Sequence, residues 1–263
     1  MAEKRDQRTN SIYMGNGRIL TTTVRGHKMI VLADDLLISP HLILDGFWEP
    51  QITNVVLSAV RPGMRVLDIG ANVGYYTILM ADAIGATGSI VAFEPSTPVY
   101  NALRINMRLN GFEGRARLIN AALGSDNATG QLVIPVPPAG MDYAGATVKF
   151  GSIPEDLFTV EDKIEVKRLD DLDLGPINFA KIDAQESEMA IWKGGRETLR
   201  RCDAIYLEFT PTDVASYALL EMIRADSFST YAIDLDGSCA PCSEADIRSR
   251  IDRVGQIDLL LRK

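Results

Sequence analysis

From residue 65 onwards, short apolar runs alternate along the chain with amphipathic stretches. The runs predict β-strands at 65–69, 89–93, 116–121, 179–182, 204–209 and 230–233. Apolar residues at helical spacing predict helices between them, at 75–84, 98–110, 188–200 and 214–225. A last apolar run at 256–262 predicts a final antiparallel strand. Strand–helix alternation of this kind predicts an α/β fold with a mostly parallel sheet and helices on both faces.

Two parts of the chain depart from this alternation. Before it, the β-rich segments 18–24 and 28–33 predict a hairpin, residues 1–16 are expected to be loosely held, and a helix is predicted to begin near Gln51. Within it, extra strands are predicted at 131–135, 147–150 and 163–169, around a Pro- and Gly-rich loop. We therefore expect an N-terminal extension (1–60) in the same domain as 61–263, with an insertion at about 124–169 that contacts the substrate.

Composition narrows the classes of partner. The chain has 263 residues and a formal net charge of −8, which argues against a nucleic acid partner. No apolar run approaches the roughly 20 residues of a membrane-spanning helix, so we expect no membrane partner and a cytoplasmic location. A lone CxxC, Cys239 to Cys242, has no second pair to complete a zinc site, and we expect a loop with two ordinary thiols. A homo-oligomer remains open.

The stretch "VLDIGANVGYYTILM" (66–80) passes from a strand pattern into a helical one through Gly70 and Gly74. In parallel sheets such a turn lies where ligands bind, and free N–H groups at the helix start favour an anionic group. A dinucleotide-binding turn needs a third glycine where Asn72 stands. Glu94, which closes the next strand, suits the two hydroxyls of a ribose. The pattern indicates a nucleoside ligand that is not a dinucleotide.

These residues resemble the S-adenosylmethionine site of class I methyltransferases. The segments "LILDGFWEP", "RVLDIGANVGYYT", "LDLGPINFAKIDAQESEMAIWKGG" and "YLEFTP" resemble, more narrowly, the FkbM methyltransferase family. The resemblance implies a Rossmann-like sheet of seven strands with a reversed final hairpin, and methylation of hydroxyl groups on sugars or secondary metabolites.

The resemblance also implies roles for particular residues. It places Glu94 on the ribose, and Glu49 at the cofactor's amino group or at the closure of the pocket. Two residues would border the adenine, namely Asn120 and Ala121. Four residues would surround the methionine half of the cofactor: Asp68, Gly70, Asn72 and Gly74. Glu49 could instead cap the helix that starts near Gln51.

The fourth strand ends in an acidic loop, where class I enzymes place the group that meets the acceptor. Asp183 is the expected general base and Glu188 the second candidate, although Glu188 could simply complement the charge of a helix N-terminus. Glu186 replaces a glycine of the family pattern, and either strains the turn or adds a carboxylate to the site. Lys181 points to the same side of the strand as Asp183, and we expect it to be structural.

Two further questions stay open. Clustered acids could hold Mg²⁺ through Asp183, Glu186 and Glu208, but we do not favour a metal.

The favoured function is methylation of a small-molecule hydroxyl, and the alternatives are a non-catalytic S-adenosylmethionine-binding module or methylation of a small amine. A nucleobase amine methyltransferase and an NAD-dependent oxidoreductase are disfavoured, because the usual N/D-P-P-Y/F box and catalytic Tyr-x-x-x-Lys pattern are absent from the sequence.

Overall fold

The computed structural model describes residues 10–136, 140–150, 158–211 and 213–263. The strands are β1 (Ile12–Gly15), β2 (Arg18–Thr22), β3 (Lys28–Leu32), β4 (Arg65–Ile69), β5 (Ser89–Phe93), β6 (Ala116–Ile119), β7 (Ala122–Gly124), β8 (Ala128–Pro135), β9 (Thr147–Lys149), β10 (Phe158–Arg168), β11 (Phe179–Ile182), β12 (Ala204–Phe209), β13 (Ser229–Ile233), β14 (Cys239–Pro241) and β15 (Ile257–Arg262). The α-helices are α1 (Ile38–Leu44), α2 (Pro50–Ala59), α3 (Tyr75–Ile84), α4 (Thr97–Leu109), α5 (Glu188–Leu199), α6 (Ala218–Ala225) and α7 (Glu244–Val254). Short 3-10 turns lie at Glu113–Arg115, Leu169–Leu172 and Val214–Tyr217.

The main sheet has eight strands in the order β14-β13-β15-β12-β11-β4-β5-β6. Strands β4, β5, β6, β11 and β12 run parallel, and β15 lies antiparallel between β12 and β13, which confirms the reversed last strand. The strand order reverses at β4, the position where ligands bind in open α/β sheets. The expected seven strands are extended by β14, a three-residue edge strand. Cys239 begins this strand, so the expectation of a simple loop there is wrong.

Helices cover both faces of the sheet. On one face, apolar residues of α2, α3 and α4 form a single buried cluster with Phe179 and Tyr206. On the other face, α5, α6 and α7 pack against Ala180 and Ile205. Successive strand residues belong to opposite clusters, as the pleat of a sheet requires. The main sheet is therefore buried on both sides, which explains its nearly continuous apolar strands.

The N-terminal segment forms a separate three-stranded sheet in the order β1-β2-β3. The hairpin of β2 and β3 is confirmed, but Ile12–Gly15 also pairs as a strand, so residues 12–15 are better ordered than expected. Buried Asn106 on α4 ties this sheet to the rest of the fold. Its side-chain amide bonds both backbone groups of Ile30 in β3 and donates to the carbonyl of Val73, at 2.8 Å. The N-terminal sheet thereby supports the turn between β4 and α3.

The insertion forms a second sheet in the order β7-β10-β8-β9, around its own small apolar cluster. A backbone bridge between Asp35 and Met141 joins it to the N-terminal segment. At its other end Gly124 lies against α5, where a Cβ on Gly194 would come within 1.9 Å of the Gly124 carbonyl oxygen. The insertion is therefore held by two contacts, one with the N-terminal segment and one with α5.

Candidate active site

A cavity of about 420 Å³ opens at the carboxyl ends of β4, β5, β11 and β12. The sheet contributes its floor, the insertion one wall, and the segment before α2 another. Its lining residues are Leu37, Ile38, Trp48, Glu49, Ile69, Gly70, Asn72, Phe93, Glu94, Pro95, Ala121, Ala122, Leu123, Leu132, Asp142, Tyr143, Ala144, Gly145, Ala146, Val148, Asp183, Ala184, Gln185, Ser187, Glu208 and Gln256. The size and the mainly apolar lining with a few convergent polar groups are typical of small-ligand sites.

The turn between β4 and α3 requires glycine at two positions. Gly70 has a φ of +78°, and a Cβ there would lie 1.7 Å from the carbonyl oxygen of Asp183. Gly74 has a φ of +92°, and its Cβ would meet Leu103 at 2.5 Å. Gly70 lines the cavity, whereas Gly74 packs α3 against α4 and is outside the lining. The second glycine therefore acts on helix packing in this structure.

Asn72 and Glu94 are joined across the turn. The backbone N–H of Asn72 donates to Glu94 Oε2 at 2.9 Å, and Ser96 donates its N–H to Oε1 at 2.8 Å. A carboxylate offers several acceptor positions, which suits Glu94 to ribose hydroxyls. The amides of Val73 and Gly74 bond Asn72 Oδ1 and the Ala71 carbonyl. The amides of Asn72, Val73 and Gly74 are thus already engaged within the turn. The expectation that N–H groups at the start of α3 favour an anionic group stays a prediction.

The two residues expected at the adenine lie differently. Ala121 is fully buried and lines the cavity beside Phe93. Asn120 is outside the lining, because its amide donates to the carbonyls of Glu94 and Pro95 at 2.9 Å each. Asn120 therefore holds the loop that carries Glu94.

A buried cation lies behind the cavity floor. Lys181 Nζ is 2.8 Å from Asp183 Oδ2 and 3.9 Å from Asp68 Oδ1, and it stands 4.8 Å from the centre of the Tyr76 ring. Burial opposes the charge of Lys181, but the nearby carboxylates, Asp183 foremost, leave its pKa above the usual value. Asp68 is fully buried and accepts a bond from Thr77 at 2.5 Å. It supports Lys181 and does not line the cavity.

Asp183 meets a second carboxyl group, Glu208, which contributes to the lining from β12. Burial, followed by the charge of Asp183 and a hydrogen bond to it, raises the pKa of Glu208 to about 10. Glu208 is therefore protonated at neutral pH, and a hydrogen bond joins it to Asp183. The amides of Gln185 and Gln256 donate to Glu208 at 2.5 and 2.8 Å. The sequence pattern did not predict a ligand contact for Gln256, and Glu208 was considered only as a metal ligand. The family segment "YLEFTP", which contains Glu208, was the one sequence feature that pointed to this part of the site.

Glu49 faces the cavity from the residue before α2. Its backbone has a φ of +40°, and its side chain makes no capping bond, so the alternative of a helix cap is wrong. The carboxyl group accepts a hydrogen bond from Tyr76 at 3.1 Å, beside Trp48 in the lining. Burial, and then the charges of Asp183 and Asp258, raise the pKa of Glu49 to about 7.

The remaining acids of the loop after β11 point away from the cavity. Glu188, the second candidate base, is 3% exposed at the start of α5 and outside the lining. Burial raises its pKa to about 8, although hydrogen bonds from the backbone of Glu188 and Glu186 at the helix start act in the opposite direction. Glu186 has a φ of +63° and pairs with Lys149 of β9 at 2.7 Å. The first alternative for Glu186, a strained turn, is the one observed.

The described residues contain no group of three or more His, Cys, Asp or Glu side chains arranged to hold a metal ion. Of the three acids considered for Mg²⁺, Glu208 is protonated at neutral pH and Asp183 is paired with Lys181. Glu186 is held outside the cavity by Lys149. The geometry therefore gives no support to a metal site.

Comparison with known proteins identifies the family. The model of the methyltransferase FkbM domain matches residues 68–228, more than half of the chain. The chain belongs to the FkbM methyltransferase family. As a member it is an S-adenosylmethionine-dependent methyltransferase, and the family prediction is confirmed. No curated protein sequence matches the chain at a significant level.

Solved structures share the fold of this FkbM methyltransferase at low sequence identity. The methyltransferase FkbM from Methylobacillus flagellatus KT is 12% identical with a TM-score of 0.48, and the match covers 80% of this chain and 50% of that one. TYW2 of M. jannaschii in complex with AdoMet is 10% identical with a TM-score of 0.50, covering 95% and 86%. The O-methyltransferase from Bacillus cereus in complex with SAH is 13% identical with a TM-score of 0.45, covering 88% and 84%.

The likeness to TYW2, together with the sheet order described above, shows a Rossmann-like class I methyltransferase fold, as expected. This FkbM methyltransferase spans half the length of its M. flagellatus relative. Within the described segments, every helix is too short or too polar to cross a membrane.

Proposed function

We propose that this methyltransferase moves the methyl group of S-adenosylmethionine to a hydroxyl group of a small molecule, such as a sugar or a secondary-metabolite intermediate. The observation that carries the proposal is the position of Asp183. Its side chain is 25% exposed in the cavity wall, and its backbone carbonyl lies against the glycine turn at Gly70. A carboxylate at that point can meet an acceptor hydroxyl beside the cofactor turn.

The cavity residues fit the cofactor. Glu94 is positioned for the ribose hydroxyls, while Phe93 and Ala121 give apolar surface for the adenine. Gly70 and Asn72 would meet the methionine half, and Glu49 its amino group. Asp68 and Asn120 would act indirectly, through Lys181 and the Glu94 loop. S-Adenosylmethionine, when bound, supplies a methyl group that its sulfonium makes electrophilic.

The chain's own residues then position the acceptor and receive its proton. A bound S-adenosylmethionine would give its methyl group to the acceptor oxygen and leave as S-adenosylhomocysteine, and Asp183 would receive the hydroxyl proton. Lys181 holds Oδ2 of Asp183 at 2.8 Å, which fixes the carboxylate in the cavity wall. Positioning supplies most of the rate, and a base in reach adds roughly 10²–10⁴-fold. Glu208, with Gln185 and Gln256, contributes further hydrogen-bonding groups to the wall.

A binding module without turnover is the main alternative. It would share Glu94 and the glycine turn but would have no use for a carboxylate in the wall opposite them. The carboxylate of Asp183 in the cavity wall, held by Lys181, favours an enzyme. Methylation of a small amine uses the same wall and differs only in the acceptor.

Calorimetric titration with S-adenosylmethionine, S-adenosylhomocysteine and NADH tests the cofactor. We expect micromolar binding of the first two and none of NADH. The variant Glu94→Gln should weaken binding at least about tenfold, the effect of losing one charged hydrogen bond. The exposed Glu113→Gln has the same chemical change and serves as the control. Failure of the wild-type protein to bind S-adenosylmethionine would refute the proposed function.

A further inference from the structure

The cavity wall carries acidic side chains without basic ones. Five of its residues have carboxyl groups: Glu49, Glu94, Asp142, Asp183 and Glu208. Among the described lining residues there is no lysine, arginine or histidine. The carboxyl groups therefore give the wall hydrogen-bond acceptors and negative charge.

The two lysines closest to this wall are already engaged by carboxylates. Lys181 lies within 4.0 Å of both Asp183 and Asp68, and only 1% of its side chain is exposed. Lys149, at the outer side of the insertion, is paired with Glu186. Neither lysine can therefore meet an anionic ligand in the cavity unless its ion pair breaks.

The acids differ in how much charge they present. Burial keeps Glu208 protonated at neutral pH and Glu49 partly so, because their pKa values are about 10 and about 7. Glu94 is stabilised by two backbone amides, and Asp142 by the N–H of Gly145 at 2.8 Å. Asp183 is balanced by Lys181. The negative charge of Asp142 is thus met by the backbone amide of Gly145, and by no cationic side chain among the described lining residues.

This arrangement suits a cationic cofactor and disfavours a negative acceptor. S-Adenosylmethionine carries one net positive charge, which the wall attracts. A phosphate or carboxylate on the acceptor would be desolvated beside like charges, and such placement costs free energy that no partner offsets. Hydroxyl and ammonium groups instead find acceptors in the wall, and the rings of Trp48 and Tyr143 can pack against a sugar face or a cation.

We propose that the methyl acceptor carries no negative charge, being a neutral or amine-bearing polyol, and that phosphorylated, nucleotide-linked and nucleic acid acceptors are rejected. The inference rests on the proposed function, since it specifies the acceptor of that same site. It assigns Asp142, on the insertion, a part in selecting the acceptor.

Transfer of a radioactive methyl group to separated metabolites tests this inference about the charge of the acceptor. A small-molecule extract of the organism that encodes the chain is divided on an anion-exchange resin into an unretained pool and a retained, anionic pool. Each pool, and total RNA, is incubated with the protein and methyl-tritiated S-adenosylmethionine. We expect label only in the unretained pool. Label in the retained pool or in RNA would overturn the charge inference while leaving methyl transfer intact.

The same experiment separates failure of the inference from failure of the function. No label in any pool, with S-adenosylmethionine binding intact, would refute the proposed transfer and the inference with it. The variant Asp142→Lys should lower labelling of the unretained pool several-fold. Asp252→Lys makes the same change on exposed α7 and should leave labelling within twofold of wild type, a margin of roughly 0.4 kcal/mol. Equal labelling by the two variants would remove Asp142 from acceptor selection.

Discussion

Gly70 and Asp183 are in backbone contact, since a Cβ on Gly70 would lie 1.7 Å from the carbonyl oxygen of Asp183. The two residues end neighbouring strands, β4 and β11, at the point where the strand order reverses. The turn expected at the cofactor and the loop with the expected base are therefore one rigid unit. A side chain added at Gly70 must displace the backbone of Asp183.

The first prediction tests this contact. Gly70→Ala should reduce the free energy of unfolding and weaken S-adenosylmethionine binding, because the new methyl group overlaps a backbone oxygen. Gly85→Ala is the control: Gly85 has a φ of +67°, but a Cβ added there would have no heavy atom within 4 Å among the described residues. It should cost only the backbone strain, about 1–3 kcal/mol. Urea unfolding and calorimetric titration of both variants measure the difference. Equal losses of stability and of cofactor affinity in Gly70→Ala and Gly85→Ala would show that the contact between Gly70 and Asp183 contributes nothing.

The second prediction concerns the base. Asp183→Asn should lower the rate of methyl transfer by roughly 10²–10⁴-fold, the contribution of a positioned base. Cofactor affinity should change little, since Glu94 and the glycine turn stay intact. The control is Glu186→Gln in the same loop, whose carboxylate pairs with Lys149 and lies outside the cavity. Steady-state kinetics with calorimetry decide the matter, and full turnover by Asp183→Asn would remove Asp183 from the chemistry.

The third prediction concerns the buried cation. Lys181→Met removes the charge that faces Asp68 and Asp183, and an uncompensated buried pair costs about 3–5 kcal/mol. Lys149→Met breaks an ion pair whose side chains are 48% and 35% exposed, which should cost at most about 1 kcal/mol. Urea denaturation gives both values. If the two losses are similar, Lys181 contributes no more than a surface charge.

Local pattern was sufficient to predict much of the sheet. Strands 65–69, 89–93, 179–182 and 204–209 and helix 75–84 have the expected bounds, because apolar runs there end at glycine or polar residues. Helix α7 was missed, since Ile247 and Ile251 are its only buried residues. Its capping box, Ser243 with Asp246, was a usable signal. The edge strand β14 has three residues and too little pattern to recognise.

The site was less predictable because its wall is assembled from distant segments. Strand alternation placed Lys181 on the side of Asp183, and their 2.8 Å contact agrees. Gln256, in contrast, reaches Glu208 only because the reversed strand β15 pairs with β12. Nothing near Gln256 in the sequence indicates that pairing. The burial of Glu188 likewise depends on tertiary packing and not on its place at a helix start.

The last prediction follows from that burial. Glu188 has a pKa of about 8 in the fold, against an ordinary value of 4.5, because burial disfavours its charged form and Asp183 and Glu186 repel it. Between these two values the folded state binds a proton that the unfolded state has lost. The free energy of unfolding must therefore fall as the pH rises through this window, by up to about 1.4 kcal/mol per pH unit from this group.

The variant Glu188→Gln keeps the size of the side chain and removes its titration. The variant should gain stability relative to wild type as the pH rises from about 4.5 to about 8, with a constant difference outside that window. Glu49 and Glu208, whose pKa values are also raised, titrate in both proteins and largely cancel in the difference. Glu197→Gln, on the exposed side of α5, should show no such trend. Urea unfolding across this pH range measures the difference, and a value independent of pH would mean that Glu188 titrates normally and is not desolvated in the native protein.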